Sequence, residues 1–249
     1  MRRENFEVLG RACRMYLPDE GLKDVQAVLI QPVDDHDLEG MEREVSAICE
    51  SVGGKSPIPF ALVTFPVKSW NEDLSPWEAP PVFGDEPFGK GAEETLRLIE
   101  EELIPTIEMR FSLTPEGELT DQELTIPLIL GGYSLAGFFA LWGAYQTDRF
   151  ISVMAASPSV WFPGWIDYAK THGPKAKAIY LSLGGKEEKT RHPVMSRVGD
   201  CIREQAEILN ASQVDSVLEW NPGNHFRDAD LRCAKGFAWC LKRLREACH

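Results

Sequence analysis

Six short apolar runs recur at wide intervals along the chain: Ala27 to Ile30, Phe60 to Phe65, Ile126 to Leu130, Ile151 to Ala156, Ile179 to Leu183 and Val217 to Trp220. Their length and their β-branched and aromatic content predict strands. The first five show almost no polar alternation, the pattern of strands covered on both faces of a parallel sheet. Between the runs the apolar positions switch to helical spacing. Met41, Val45, Ile48 and Val52 share one helix face and stop at Gly53-Gly54; Ala92, Leu96, Ile99, Leu103 and Ile107 make a second stripe, with a kink expected at Pro105. Val198, Ile202, Ala206 and Leu209 make a third, and Leu231, Ala234, Ala238 and Leu241 a fourth. Strand and helix alternate throughout, which predicts a three-layer α/β fold: a mostly parallel central sheet, helices on both faces, and a ligand site at the carboxyl ends of the strands.

Two stretches break this rhythm. Residues 124–147, LTIPLILGGYSLAGFFALWGAYQT, carry no charge and resemble a membrane span, but Gly131-Gly132-Tyr133-Ser134 interrupts them. A buried strand, a tight turn and a buried helix fit the same letters. Residues 68–91 hold four prolines and two tryptophans without periodicity, and loops of that length in compact domains are usually functional; here an ordered loop over the active site is expected. The whole chain, 1–249, is read as one domain.

Composition narrows the function. Lys and Arg number 26 against 39 Asp and Glu, a formal net charge of −13, and no basic run is present. The phosphate-neutralising surface that dominates nucleic-acid affinity is therefore missing. The six cysteines, Cys13, Cys49, Cys201, Cys233, Cys240 and Cys248, include no C-x-x-C pair, and MRRENFEVLG lacks an apolar signal segment. Reduced thiols and a cytoplasmic location are expected, with neither nucleic acid nor membrane as partner.

The strongest chemical signal is LILGGYSLAG, a buried strand running through Gly132-Tyr133-Ser134-Leu135-Ala136-Gly137 into a helix. A serine on such a turn is exposed as a nucleophile and needs small residues two positions before and after it. Gly132 and Ala136 supply them, alanine replacing the usual glycine. The competing interpretation is a small-residue junction with an accidental serine. A serine nucleophile needs a base, and the base needs a carboxylate, in the chain order Ser, acid, His. His225, in the NPGNHFRD loop between the last strand and the last helix, fits better than His172, His192 or His249. Glu187 and Glu188 follow the Ile179 strand; Glu187 is the choice because a Gly-x-x-acid turn starts at Gly184, while a solvated cluster with Lys186 and Lys189 is the alternative. Two backbone donors are needed for an oxyanion: Leu135 N–H is one, and the loop of AVLIQPVDDHD provides the other, Val33 before Asp34, since Pro32 has no N–H. Asp34 to Asp37 also offers ligand types for a metal, but consecutive residues rarely converge on one ion, and a helix start or pocket rim is preferred; no metal is expected.

Taken together, AVLIQPVDDHD, NEDLSPW, GAEETLRLIEEELIPTIE, GYSLAG, ASPSVWF and GNHF, in this order along the chain, resemble the enterochelin-esterase and esterase-D-like branch of the α/β-hydrolase superfamily. Ala136 and Gln31-Pro32-Val33 depart from its pattern. The resemblance implies an α/β-hydrolase fold and a serine hydrolase that cleaves a small-molecule carboxylic ester through an acyl-serine, without a cofactor. Relatives act on siderophore esters, feruloyl and acetyl esters and S-formylglutathione, and the substrate here stays open. The loop holding NEDLSPW places Asp73 at the substrate pocket, and Trp70, Trp77, Trp161 and Trp165 are candidates to wall it, with plain packing as the alternative. A hydrolase-fold binding module without catalysis, and an acyltransferase using the same triad, are the rival functions.

Overall fold

The computed structural model describes residues 1–19, 21–22, 24–55, 57–82, 84–112 and 126–247. Leu124, Thr125, Cys248 and His249 lie outside them. Along the chain run β1 (Arg2–Val8), β2 (Arg11–Leu17), β3 (Ala27–Val33), α1 (Asp35–Val52), β4 (Phe60–Pro66), α2 (Trp70–Asp73), α3 (Ala92–Leu98), α4 (Ile104–Phe111), β5 (Leu128–Tyr133) and α5 (Ser134–Gln146). Then follow β6 (Phe150–Ala156), α6 (Trp165–Thr171), β7 (Ala178–Gly184), α7 (Val198–Ala211), β8 (Asp215–Asn221) and α8 (Ala229–Ala247). The strands form one sheet in the order β1-β2-β4-β3-β5-β6-β7-β8. From β4 to β8 every pairing is parallel, and β2 joins β4 antiparallel.

The six expected strands are all present, and both faces of the sheet are covered. Alternate residues of β3 show how: Val28 and Ile30 enter one core with α3, α5, α6 and α7, while Ala27 and Leu29 enter the other with α1 and α8. Burial on both sides is why these strands read as unbroken apolar runs. The uncharged stretch divides as a strand and a helix, with Leu135 to Tyr145 of α5 buried throughout. No helix among the described residues is long and apolar enough to cross a membrane.

Two details differ from the sequence pattern. The first is the hairpin β1–β2 at the sheet edge, where Arg2, Glu4 and Arg11 on exposed or half-buried positions mask the alternation. Its turn places Leu9 at φ 48° and Gly10 at φ 75°; two positive φ values in succession make the tight turn whose twist suits paired strands, and leucine is an uncommon residue for it. The second is the kink at Pro105. The bend is spread over a π-helical turn, Ile99–Leu103, in which the Ile104 N–H reaches back to the Ile99 carbonyl. Proline has no N–H and crowds the carbonyl four residues earlier, so the ladder widens by one residue just ahead of it.

Strand order reverses beside β3, whose two neighbours, β4 and β5, follow it in sequence on opposite sides. Such a switch point leaves a crevice at the carboxyl ends of the strands. α8 must lie close to the sheet to roof the other face: a Cβ built on Gly236 would stand 2.5 Å from Met154 Cγ and 2.6 Å from Tyr180 Cδ1. Gly236→Val is therefore expected to overpack this contact and lower stability by about 1–3 kcal/mol. Gly173→Ala, where nothing lies within 4 Å, should stay within about 0.5 kcal/mol of the parent. Urea unfolding of the two variants checks this; equal midpoints would show that α8 has room to shift.

Candidate active site

Ser134 begins α5 directly after β5 and has φ 56°, the left-handed region that a side chain rarely adopts. Strain of this kind persists only where its surroundings leave no alternative. Gly132 supplies part of that constraint, because a Cβ there would meet Ala136 C and Cβ at 2.7 Å. Ala136 is accommodated on the opposite side for the same reason: its methyl group fills the space that the absent Gly132 side chain leaves. Gly137 completes the close packing, since its Cβ would stand 2.8 Å from the Gly132 carbonyl oxygen. The Ser134 carbonyl in turn accepts the Ser159 N–H at 3.1 Å, tying the turn to the segment after β6.

The structure brings Ser134, His225 and Glu187 together. Ser134 Oγ lies 3.0 Å from His225 Nε2, and His225 Nδ1 lies 2.7 Å from Glu187 Oε2. An ionised carboxylate can only accept, so Nδ1–H donates to Glu187 and leaves Nε2 as the acceptor facing the serine hydroxyl. Glu187 is buried, and burial alone would raise its pKa. The hydrogen bond and charge of His225, with bonds from Ser157 and the Gly184 N–H, overcome that and hold it below the ordinary carboxylate value. Glu188 turns the other way, into an ion pair with Arg203 at 2.9 Å on the surface.

A buried arginine that the sequence pattern did not single out organises this site. From the first turn of α8, Arg232 Nη1 donates to Glu187 Oε1 at 2.8 Å, to Ser157 Oγ at 3.0 Å and to Tyr133 Oη at 3.0 Å. Its Nη2 donates to the carbonyls of Pro222 at 3.1 Å and Asn224 at 2.8 Å. Tyr133 Oη passes its own proton to the His225 carbonyl at 2.6 Å. The histidine loop is thus held at Asn224 and His225 from inside the protein. The only trace in the sequence is a charged residue at the head of a helix face that is otherwise apolar from Cys233 to Leu241.

The remaining candidates separate. Leu135 is the second residue of α5, so its N–H has no acceptor within the helix. Val33 is not placed beside it. Val33 pairs with Pro66, and its carbonyl accepts the Val67 N–H at 3.4 Å. Amide and carbonyl of one strand residue point to the same side, so the Val33 N–H faces β4 and turns away from β5 and Ser134. The Asp34 N–H is engaged by Asp37 Oδ2 at 3.2 Å, while Asp34 Oδ1 accepts the Asp37 N–H at 2.8 Å. The acidic cluster is therefore the capping box of α1.

Asp73 does not project freely either: its Oδ2 accepts the Lys68 N–H at 2.7 Å and the Ser69 N–H at 3.3 Å, closing the loop on itself. Trp70 is half-buried against the larger core. Trp161, two residues beyond the Ser159 amide that binds the Ser134 carbonyl, meets Phe88 with ring centroids 6.0 Å apart. Trp77 Nε1 donates to the Pro163 carbonyl at 2.8 Å. The 68–91 segment is thereby pinned to the chain that follows β6.

Similar proteins agree with this architecture. The IroE-like serine hydrolase from Shewanella oneidensis superposes with a TM-score of 0.71 at 18% identity, over 97% of this chain and 80% of that one. The siderophore hydrolases EstA and EstB from Aspergillus nidulans superpose at 0.68 and 0.65, with 17% and 18% identity, covering 97% and 95% of this chain and 94% of each of theirs. At such identities these likenesses concern the fold. No curated protein matches. The family model described as "Putative esterase" matches residues 12–221, a span that holds Ser134 and Glu187 and stops just short of His225, and the chain belongs to this esterase family.

Proposed function

We propose that the chain is a serine hydrolase in which Ser134, His225 and Glu187 cleave a carboxylic ester through an acyl-serine intermediate. The observation that carries this is the continuous hydrogen-bond relay from Ser134 Oγ through His225 to Glu187, on a strained turn at the carboxyl end of a parallel strand. As Ser134 Oγ attacks the ester carbon, its proton passes to His225 Nε2, and Glu187 stabilises the imidazolium without taking the proton. The Leu135 N–H is aimed at the oxyanion. Collapse of the tetrahedral intermediate expels the alcohol, which receives the proton from Nε2. Water then attacks the acyl-serine with His225 again as base, releasing the acid and restoring the serine. The 68–91 segment and Trp161 wall the site in this proposal, the chain working as one domain, while Asp73 shapes that loop through its backbone bonds. The similar siderophore hydrolases support a siderophore as one candidate substrate.

Ser134→Ala is expected to lower kcat for p-nitrophenyl acetate by several orders of magnitude and to abolish labelling by a fluorophosphonate, because only binding and oxyanion stabilisation remain. His225→Ala should be about as damaging, and the double variant no worse than either. Full activity of Ser134→Ala would end the acyl-serine proposal.

Glu187→Gln keeps the shape but removes the charge facing His225 Nδ1 and should lower kcat by orders of magnitude. Glu188→Gln, at a surface ion pair, should change kcat little. Side-by-side steady-state kinetics decide between them, and the reverse ranking would move the role to Glu188.

Arg232→Met is expected to lower both stability and kcat. Removing one partner of a buried ion pair costs about 3–5 kcal/mol, and here it also releases the Asn224 carbonyl. Denaturant unfolding read together with kcat checks it; unchanged values in both would mean that Ser157 and the Gly184 amide suffice to hold Glu187.

A further inference from the structure

Between the N-terminal turns of α1 and α8 lies a cavity of about 400 Å³. Tyr133, the chain neighbour of Ser134, and Phe226, the chain neighbour of His225, both line it, one residue removed from the proposed reacting groups. Gln31 from β3 and Glu44 from α1 also line it and are nearly fully buried, at 3% and 2% exposure. Neither Gln31 Oε1 nor Glu44 Oε1 has a hydrogen-bond partner among the described residues. Buried polar atoms are almost always satisfied, and a pair of orphans calls for a ligand. Both orphans are oxygens, which calls for a donor.

The charge around them sets the sign of that donor. Asp37, Glu39, Glu44, Asp228 and Asp230 face the cavity against Arg43 and His36. Arg43 is already taken, bridging Asp230 at 3.1 Å and Asp228 at 3.5 Å on the rim, and Glu39 has His36 at 4.0 Å. Asp37 and Glu44 make no ion pair among the described residues, His36 being the basic side chain that acts on Asp37. Burial raises both: Asp37 to about 6 with help from Asp34, and Glu44 well above the ordinary carboxylate value against the opposing hydrogen bond of the Gln31 side chain, with Asp37 and Asp230 adding to the rise. A cation in the groove would favour ionisation of both carboxyls, which water filling the same space would not do.

We propose that this groove binds a primary ammonium or guanidinium group carried by an arm of the ester substrate, with Gln31 Oε1 and Glu44 accepting its N–H donors and Asp37 supplying counter-charge. Substrate choice would then be set on the α1–α8 side, independently of the aromatic wall on the other. The part concerning the substrate rests on the esterase function proposed above; binding in the groove does not.

Two measurements test it. Calorimetry of the intact protein with hexylguanidinium, against its neutral isostere hexylurea, reads the groove without turnover. The cation should bind at millimolar concentration or tighter, hexylurea at least about tenfold more weakly, and Glu44→Gln or Asp37→Asn should each weaken the cation by about tenfold, the worth of one hydrogen bond to a charged group. Thermal unfolding confirms that each variant is folded. Equal binding of the two probes, no binding, or binding indifferent to both substitutions would overturn the site. Hydrolysis of 6-guanidinohexyl acetate against 6-ureidohexyl acetate, and of the matching p-nitrophenyl 6-guanidino- and 6-ureidohexanoates, reads the substrate arm. At least one pair should favour the cation in kcat/KM by about tenfold, a preference that Glu44→Gln removes. If the ureido esters are turned over with no such preference, the arm assignment fails; if no ester is hydrolysed while hexylguanidinium still binds, the esterase function fails and the groove stands.

Discussion

The buried pair of Glu187 and Arg232 is the interaction on which the rest of the site depends. Four carboxyl-end segments of the sheet meet there: Tyr133 after β5, Ser157 after β6, the turn of Gly184 to Glu187 after β7, and Pro222 to Asn224 after β8. Tyr133 and Gly184 are the last residues of their strands, and the segments that follow the strands here are backbone that the sheet itself does not orient. One guanidinium, with donors in a rigid planar fork, fixes them to one another. Its cost in desolvation is met because each nitrogen that faces the protein has an oxygen opposite it, and because Glu187 spends its second oxygen on His225. The bonds that hold the proposed relay in place and those that hold the fold at this point are therefore the same set.

That convergence explains which features were legible in the sequence. Whatever repeats along the chain was readable: the doubly buried strands as continuous apolar runs, α1, α7 and α8 as stripes, the elbow as a local Gly-x-Ser-x-small motif. His225 and Glu187 were reachable because topology puts each just past a known strand, so position in the chain stood in for position in space. Arg232 had no such handle. Its partners, from Tyr133 to Asn224, are scattered over the chain, and no local pattern announces a side chain whose bonds reach from 8 to 99 residues away. The edge hairpin β1–β2 was hidden by charged residues that suit an edge strand, and by a leucine where a turn of this type usually has asparagine or glycine.

Val33 shows the opposite failure, a position rightly located and wrongly oriented. The chain does leave β3 near Ser134, since β3 and β5 are neighbours. Yet a strand's amides alternate in direction, and whether a given N–H faces one neighbour or the other depends on register to a single residue. The pairing of Val33 with Pro66 decides it, and proline's missing N–H leaves only the register in which Val33 itself bonds to β4. No apolar pattern carries that information, because side-chain alternation and amide alternation report different faces of the same strand.

The two sides of the proposed site differ in what they are made of. On one side, Trp77, Phe88, Trp161, Phe162, Trp165 and Tyr168 pack ring against ring; Phe88, Phe162 and Trp165 are buried in the core, so Trp165 packs and does not wall a pocket, and stiff groups set the shape of this side. On the other, α1 and α8 approach closely enough that a Cβ on Gly40 would stand 3.2 Å from Asp230 Cβ, and they present carboxylates over orphaned oxygens. A side chain that titrates or reorients on the second flank leaves the first untouched, because the histidine loop between them is anchored from beneath by Arg232 and Tyr133. His225 is therefore anchored from below beside an unevenly charged groove, so that the proposed recognition of a cationic arm there and the proposed relay from Glu187 to Ser134 rest on separate sets of bonds.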